Sequence, residues 1–476
     1  METLDLLIKN GIVLTMADGK AGFIRNGAVG VRGNTIACVG ESGEICRTYQ
    51  AKESIDAEGK IIMPGFVNAH THSTTGLSKG ILVGLKFYLE QGLAGYNEGI
   101  TPESQIASSK MHILEGIKRG YTTYCDTNFG SNVIACVHEE FGTRCRISEL
   151  VREFPWDIRD LVGGVYPFDR SYAEPYVAAS KELLEKYGTN PNDRISAMVA
   201  FQGLDYCSEE LILELRDLAR KHNAMIHTHV AQGYFEVDQC LMRWGKRPVD
   251  VLEEMGMLNA NTIGGHMTHH PPEDTVKAAH SGMALLTTPT SYTNKGDLSP
   301  IALYAAEGGT VAIGTDECAY ACVNPCVEMR VTINHANIGA KLAGLEPMKV
   351  FRILQMSTIE AAKAIGLGDQ VGSLEVGKKA DIIIFNPYTI SMLPMLVDPL
   401  INFINNFVMS ATGDEVETVV IDGKVVMRDR KLLTLDERAV NEEIQYEGQK
   451  AAEKAYDYYK TLPDSEVIAL QSDYYA

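Results

Sequence analysis

Hydrophobic and polar positions change rhythm twice along the chain. Residues 1–63 carry short apolar or alternating runs, LDLLIKNGIVLTM, GAVGVRGNTIACVG and ESIDAEGKIIMPG, separated by Gly and Asn-Gly turn signals. The same texture returns at Leu374–Asn386 (LEVGKKADIIIFN) and Val416–Met427 (VETVVIDGKVVM). Two β-rich ends around a different middle predict one small β-sandwich domain built from both termini, residues 1–63 and 371–436.

Between them, apolar strand-like runs alternate with helical patterns. IMPGFVNAH, YTTYCD, RCRISEL, RISAMVAF, AMIHTHV, NTIGGHM, MALLTT and TVAIGTD make eight such runs. Periods of 3.6 residues at Glu103–Arg119 and Glu209–His222 predict helices, with start signals at Asp205–Ser208 and Pro271–Pro272 for two of the helices. Strand–helix alternation predicts parallel pairing, and eight units predict an α/β fold, a (β/α)₈ TIM barrel over residues 64–370. After Arg438 the chain is charged and rich in Ala and Tyr, which predicts a C-terminal helical tail over 437–476, exposed and frayed at its end.

Composition narrows the partners. The 476 residues carry 43 basic and 62 acidic side chains, a net charge of −19. That lacks the basic footprint a nucleic acid requires. No run reaches the roughly 18 apolar residues of a membrane span, and the N-terminus lacks a basic region and cleavage site of a secretion signal. Ten scattered cysteines then read as reduced thiols of a cytoplasmic protein. The expected partner is a small molecule, and a homo-oligomer is expected because dimers are the commonest assembly.

The chemistry gathers at strand ends. His70 and His72 sit two apart at the end of the first barrel strand, so both imidazoles face one side and can reach one cation. His227-Thr228-His229 ends the fifth, His266 the sixth and Asp316 the eighth. A single buried histidine is more often a satisfied core residue. Four strand ends with ligand chemistry, on the face where barrel enzymes work, point instead to a divalent metal ion: Zn²⁺ first, with Fe²⁺ or Co²⁺ also suited. Such an ion activates water near neutral pH. Asp316 can bind it and accept a proton, and His266 can orient the nucleophile or polarise the substrate.

PGFVNAHTH, HTHVAQ, GGHMTHH and AIGTDE, in that order, resemble the amidohydrolase superfamily, nearest its deaminase and chlorohydrolase branch. The resemblance covers nearly the whole chain, because LEVGKKADIIIF and VVIDGKVV look like that family's composite β domain. It implies one metal ion held by His70, His72, His229 and Asp316, with His266 as catalytic partner beside Asp316. The fourth strand has no Lys that could be carboxylated to bridge two metals.

Three positions depart from the family pattern. Gln232 stands where the deaminases carry a proton-shuttling Glu, and an amide cannot shuttle protons. Gln202 replaces a common substrate-binding histidine, and Ser291 is followed by Tyr292 rather than Asn. Gln202, Gln232, Ser291 and His269 are therefore the candidate substrate contacts, and His269 and His270, close after His266, are the candidates to protonate a leaving nitrogen in place of the Glu. The expected activity is hydrolysis of a C–N or related leaving-group bond of a small, uncharged, cyclic substrate. The alternatives are an amide, urea or (thio)carbamate hydrolase and a non-catalytic metal-binding barrel.

Four further features carry less. Cys318, Cys322 and Cys326 recur every four residues, but Pro325 argues against one helix through them. Ser73–Gly99 is long for a βα loop and suits a lid. Phe154, Trp156, Tyr166 and Phe168 make an aromatic loop, either pocket wall or oligomer contact. Met392–Met395 reads as core or interface.

Overall fold

The computed structural model describes residues 2–85, 92–97, 99–154, 164–319 and 322–475. Trp156 and part of the expected lid lie outside them.

Eight parallel positions form the barrel: Phe66–Thr71, Tyr121–Asn128, Arg144–Val151, Ile195–Ala197 continued by Val199–Phe201, Ile226–Val230, Thr262–His266, Ala284–Thr287 and Val311–Ile313. They are numbered here as barrel strands one to eight. The sequence run RISAMVAF is one barrel position broken at Met198. Its first half pairs with strand three, and its second half bridges strands three and five. Strand one meets strand eight through a parallel bridge, Thr71 to Asp316, with Asp316 N–H donating to the His70 carbonyl at 3.0 Å. Asn68 and Thr315 reinforce this seam, Asn68 Nδ2 donating to Thr315 Oγ1 at 2.8 Å and Thr315 N–H to Asn68 Oδ1 at 3.1 Å. The seam thus places His70 and Asp316 side by side.

The strands of both termini hydrogen-bond into one nine-stranded sheet. Ile61–Pro64 from the N-terminal part pairs antiparallel with Ile382–Phe385 from the C-terminal part, joining the two ends. Leu6, Ile8, Val29, Ile62, Ile382 and Ile384 share its core. Arg144, fully buried at the start of strand three, ties this sheet to the barrel. It donates to both Asp381 oxygens at 2.9 and 3.1 Å and to Asp422 at 3.0 Å.

The helices begin and end for local reasons. Pro102–Lys118 has a capping box, in which Thr101 Oγ1 accepts from Ser104 N–H and the Ser104 hydroxyl accepts from Thr101 N–H. Glu209–His222 is capped by Ser208 and closed by Asn223 in the left-handed region. Pro325 opens the helix Pro325–Leu342, so Cys318 and Cys322 precede it and the three cysteines share no helix.

The tail differs from the exposed helix expected. Glu437–Tyr459 is helical, and Ala451, Ala455 and Tyr459, spaced four apart on one face, bury against Leu82, Leu93 and Tyr96 of the segment after strand one. Small residues let the two backbones approach. A Cβ on Gly99 would lie 2.6 Å from the Ala451 carbonyl oxygen, and Tyr459 Oη donates to the Gly92 carbonyl at 2.5 Å. Among the described residues, no helix is long and apolar enough to cross a membrane.

Candidate metal centre

Five side chains from strand ends one, five, six and eight converge at the top of the barrel. His70, His229 and His266 offer ligand atoms within 4.8 Å of one another, and so do His70, His72 and Asp316. Asp316 Oδ1 lies 3.6 Å from His70 Nε2 and 3.7 Å from His72 Nε2. His72 Nε2 faces His229 Nε2 at 3.3 Å.

The opposite nitrogens are held by the protein. His72 Nδ1 reaches the Thr127 carbonyl at 2.5 Å, and His229 Nδ1 reaches the Gln202 carbonyl at 2.5 Å. His266 Nδ1 meets Thr288 Oγ1 at 3.1 Å, and Thr288 in turn lies 3.4 Å from Asp316 Oδ2. A carbonyl partner fixes the proton on Nδ1 and leaves a lone pair on Nε2. His70 Nε2 is buried with no hydrogen-bond partner. Buried unpaired polar atoms are costly, and several lone pairs aimed at one point repel unless a cation lies between them. The donor set and this orphaned nitrogen fit a divalent ion of the zinc class.

Electrostatics agree. Burial, followed by the neighbouring imidazoles, holds His227 and His229 well below the ordinary histidine value, which keeps the rings neutral as ligands must be. Burial alone would raise the Asp316 carboxyl, but His70, His266 and His72 pull it well below the usual range. The backbone is strained at both reactive strand ends, with φ of 75° at His266 and 59° at Asp316. Non-glycine residues there cost on the order of 1–3 kcal/mol each and cluster at functional sites.

The centre opens into a cavity of about 310 Å³. Gln202 and Gln232 line it, as do His72, His229, His266 and Asp316. Ser291 and His269 do not. Ser291 is buried at the first turn of the helix Pro289–Lys295, and the next residue, Tyr292, turns into the cavity with its ring 4.3 Å from His266. His269 is drawn aside, its ring 4.1 Å from Tyr234, its Nδ1 2.9 Å from Thr268 Oγ1 and its Nε2 3.6 Å from Asp297. His270 turns to the Pro271 carbonyl. Thr74, Thr75, Leu93 and Asn97 cover the cavity from the segment expected as a lid.

Residues that sequence reasoning passed over also reach the site. Arg152 and Lys295 line the cavity, Arg152 stacked 4.5 Å over Phe129 and Lys295 4.5 Å over Tyr292. Glu317 lines it next to Asp316, and desolvation pushes its carboxyl up to about 7. His227 and Thr127 stand behind the ligands. Arg152, just past strand three, and Glu317, just past strand eight, were visible as charged residues at barrel strand ends, and His227 was visible in the motif beside His229, though not its role behind His70; Lys295 and Thr127 had no local signal.

Residues 61–426 match the model of the amidohydrolase family. The chain belongs to the amidohydrolase family. A 5-methylthioadenosine/S-adenosylhomocysteine deaminase of Pelotomaculum thermopropionicum is 30% identical over 453 residues, covering 94% of this chain and 98% of that protein. An adenosine deaminase from Xanthomonas campestris solved with bound zinc superposes with a TM-score of 0.85 at 23% identity, covering 95% and 99% of the two chains. A zinc complex of atrazine chlorohydrolase from Arthrobacter aurescens gives 0.82 at 19% identity, covering 93% and 100%. As a member of this family the chain is a hydrolase acting on carbon–nitrogen bonds.

Proposed function

We propose that the protein binds one divalent ion, zinc foremost, through His70, His72, His229 and Asp316, and hydrolyses a C–N or related leaving-group bond of a heterocycle held against His266. The convergence of Nε2 atoms whose rings are anchored elsewhere, with His70 Nε2 unpartnered, carries this reading. An ion bound there supplies Lewis acidity that brings water within reach of deprotonation near neutral pH. Asp316 is the base for that proton, its Oδ2 steadied by the Thr288 hydroxyl at 3.4 Å. His266, tethered to the same hydroxyl at 3.1 Å, orients the substrate atom that gains charge.

Gln232 sets the limit on the leaving group. Its amide can accept and donate hydrogen bonds but cannot deliver a proton. Protonation of the leaving group then falls to Glu317 or to solvent. Arg152 and Lys295 in the cavity suit a substrate whose ring carries an acidic appendage, where the sequence suggested an uncharged one. S-adenosylhomocysteine, in the name of the deaminase relative, has such a carboxylate. Gln232 also favours a second reading, an amide, urea or carbamate hydrolase whose leaving group needs little protonation. A cytoplasmic location and a homo-oligomer complete the proposal.

The test is zinc-loaded protein assayed on S-adenosylhomocysteine, 5-methylthioadenosine, a chlorotriazine and a phenylurea. Ammonia or chloride release from a heterocycle, abolished in Asp316→Ala, supports the first reading. Amine release from the phenylurea alone supports the second. Turnover that survives both chelation and Asp316→Ala overturns both.

A further inference from the structure

We propose that His227 is a positioning residue that fixes the tautomer of His70, and that Thr127 is the hub from which both histidines of the first barrel strand are oriented. The inference rests on the metal centre proposed above.

Four buried groups from four strands form a chain. His70 Nδ1 lies 2.8 Å from His227 Nε2, His227 Nδ1 lies 3.0 Å from Thr127 Oγ1, and Thr127 Oγ1 lies 2.8 Å from Ser148 Oγ. All four side chains are at 0% exposure, so water cannot substitute for a missing partner. The main chain of Thr127 meanwhile accepts the His72 Nδ1 proton at 2.5 Å. One residue at the end of strand two therefore reaches His72 directly and His70 through His227.

Donor accounting gives the chain a direction. A cation ligand at His70 Nε2 needs its lone pair, so the ring proton sits on Nδ1 and is donated to His227 Nε2. His227 must then carry its own proton on Nδ1 and donate it to Thr127 Oγ1, whose hydroxyl donates to Ser148. Running the chain backwards places a proton on His70 Nε2, where the ion belongs. Removing the Thr127 hydroxyl strands the His227 Nδ1 proton in an apolar setting and favours that reversal. Ligating histidines are commonly fixed through their second nitrogen, and loss of that partner typically costs about 10- to 100-fold in metal affinity. A neutral imidazole in this role, with a hydroxyl behind it, makes the tautomer depend on a residue two links away.

The experiment uses Zn²⁺ alone as the probe, with the full chain, and reads affinity by competition with a chelating dye. It also reads the ¹⁵N shifts of His70 in the zinc-free protein. His227→Phe and Thr127→Val are expected to weaken zinc by about 10- to 100-fold and to move the His70 proton from Nδ1 towards Nε2. His227→Gln can place an amide oxygen near the former Nε2 and is expected to stay within about threefold of wild type. If His227→Phe fails to fold, Thr127→Val, which keeps every ring, carries the test. His229→Ala is the control and should lose zinc. If it does, and Thr127→Val and every folded His227→Phe sample bind as wild type with the tautomer unchanged, the positioning role is overturned. If His229→Ala keeps wild-type affinity, the metal centre itself is wrong and the proposal falls with it.

Discussion

Replacing Gly314 with alanine should separate the two halves of the metal centre while leaving the barrel folded. Gly314 lies between strand eight and Asp316, at the seam with strand one. A Cβ built there would sit 2.4 Å from the His70 carbonyl oxygen, 2.6 Å from its nitrogen and 2.7 Å from its Cβ. Ordinary contacts begin near 3.4 Å, so the seam must open by about 1 Å, and the obstacles include backbone atoms that cannot swing away. Overpacking of this kind costs about 1–3 kcal/mol, a tolerable share of a domain's stability. The centre is less forgiving, because metal–ligand distances tolerate only about 0.2 Å. The Asp316 N–H to His70 carbonyl bond of 3.0 Å would break, and zinc affinity should fall by about 100-fold or more, at the top of the range for lost outer contacts. Chemical denaturation and dye competition measure the two losses separately. Gly339→Ala, at a half-buried helix position with nothing within 4 Å of its Cβ, is the comparison and should gain about 0.5–1 kcal/mol. Wild-type zinc affinity in folded Gly314→Ala would refute the reasoning.

Three further outcomes follow from other parts of the structure. Arg144→Met leaves Asp381 buried without its guanidinium partner and should destabilise by about 3–5 kcal/mol, read as a shifted denaturation midpoint; a shift below about 1 kcal/mol would mean water replaces the arginine. Glu328, buried on the helix Pro325–Leu342, has its carboxyl pushed up to about 8, mainly by burial. Its neutral form stabilises the fold fully below about pH 4.5, and that contribution is lost as pH rises through about 8. Glu328→Gln should therefore gain stability relative to wild type across that window, and a difference independent of pH would contradict the assignment. Tyr459→Phe removes the 2.5 Å bond to Gly92 that ties the C-terminal helix to the cavity cover. Zinc should be stripped faster by dipicolinate at a cost of only about 1 kcal/mol in stability; an unchanged stripping rate would show that the latch does not govern access.

Much of this was legible because each barrel strand is a local pattern with its own stop. Apolar runs ending in His70, His229, His266 and Asp316 carry both the strand and the ligand in one stretch of chain. The helix Glu209–His222 was announced by its start signal at Asp205–Ser208 and its 3.6-residue period. What escaped reading depends on contacts across strands. His227 was visible beside His229, yet its bond to His70 joins residues 157 apart. Thr127 looks like any strand threonine until strands two and five are adjacent to one ring. Met198 breaks strand four without a Gly or Pro to announce it. Ser291 and Tyr292 were weighed as a pair, but one turn of helix sends only the tyrosine into the cavity. The tail looked solvent-facing because its buried face is made of alanines, whose contribution appears only when a glycine-bearing segment packs against them. Arg152 and Lys295 reach the cavity through side-chain length, which linear patterns do not record.

The central claim is that one cation sits among these five side chains. X-ray absorption at the zinc edge of metal-replete protein tests it most directly. Close to one zinc per chain is expected, with imidazole scattering from three histidines at about 2.0–2.1 Å that falls by one ring in His229→Ala. Sulfur scattering near 2.3 Å, or a spectrum identical in wild type and His229→Ala, would contradict it.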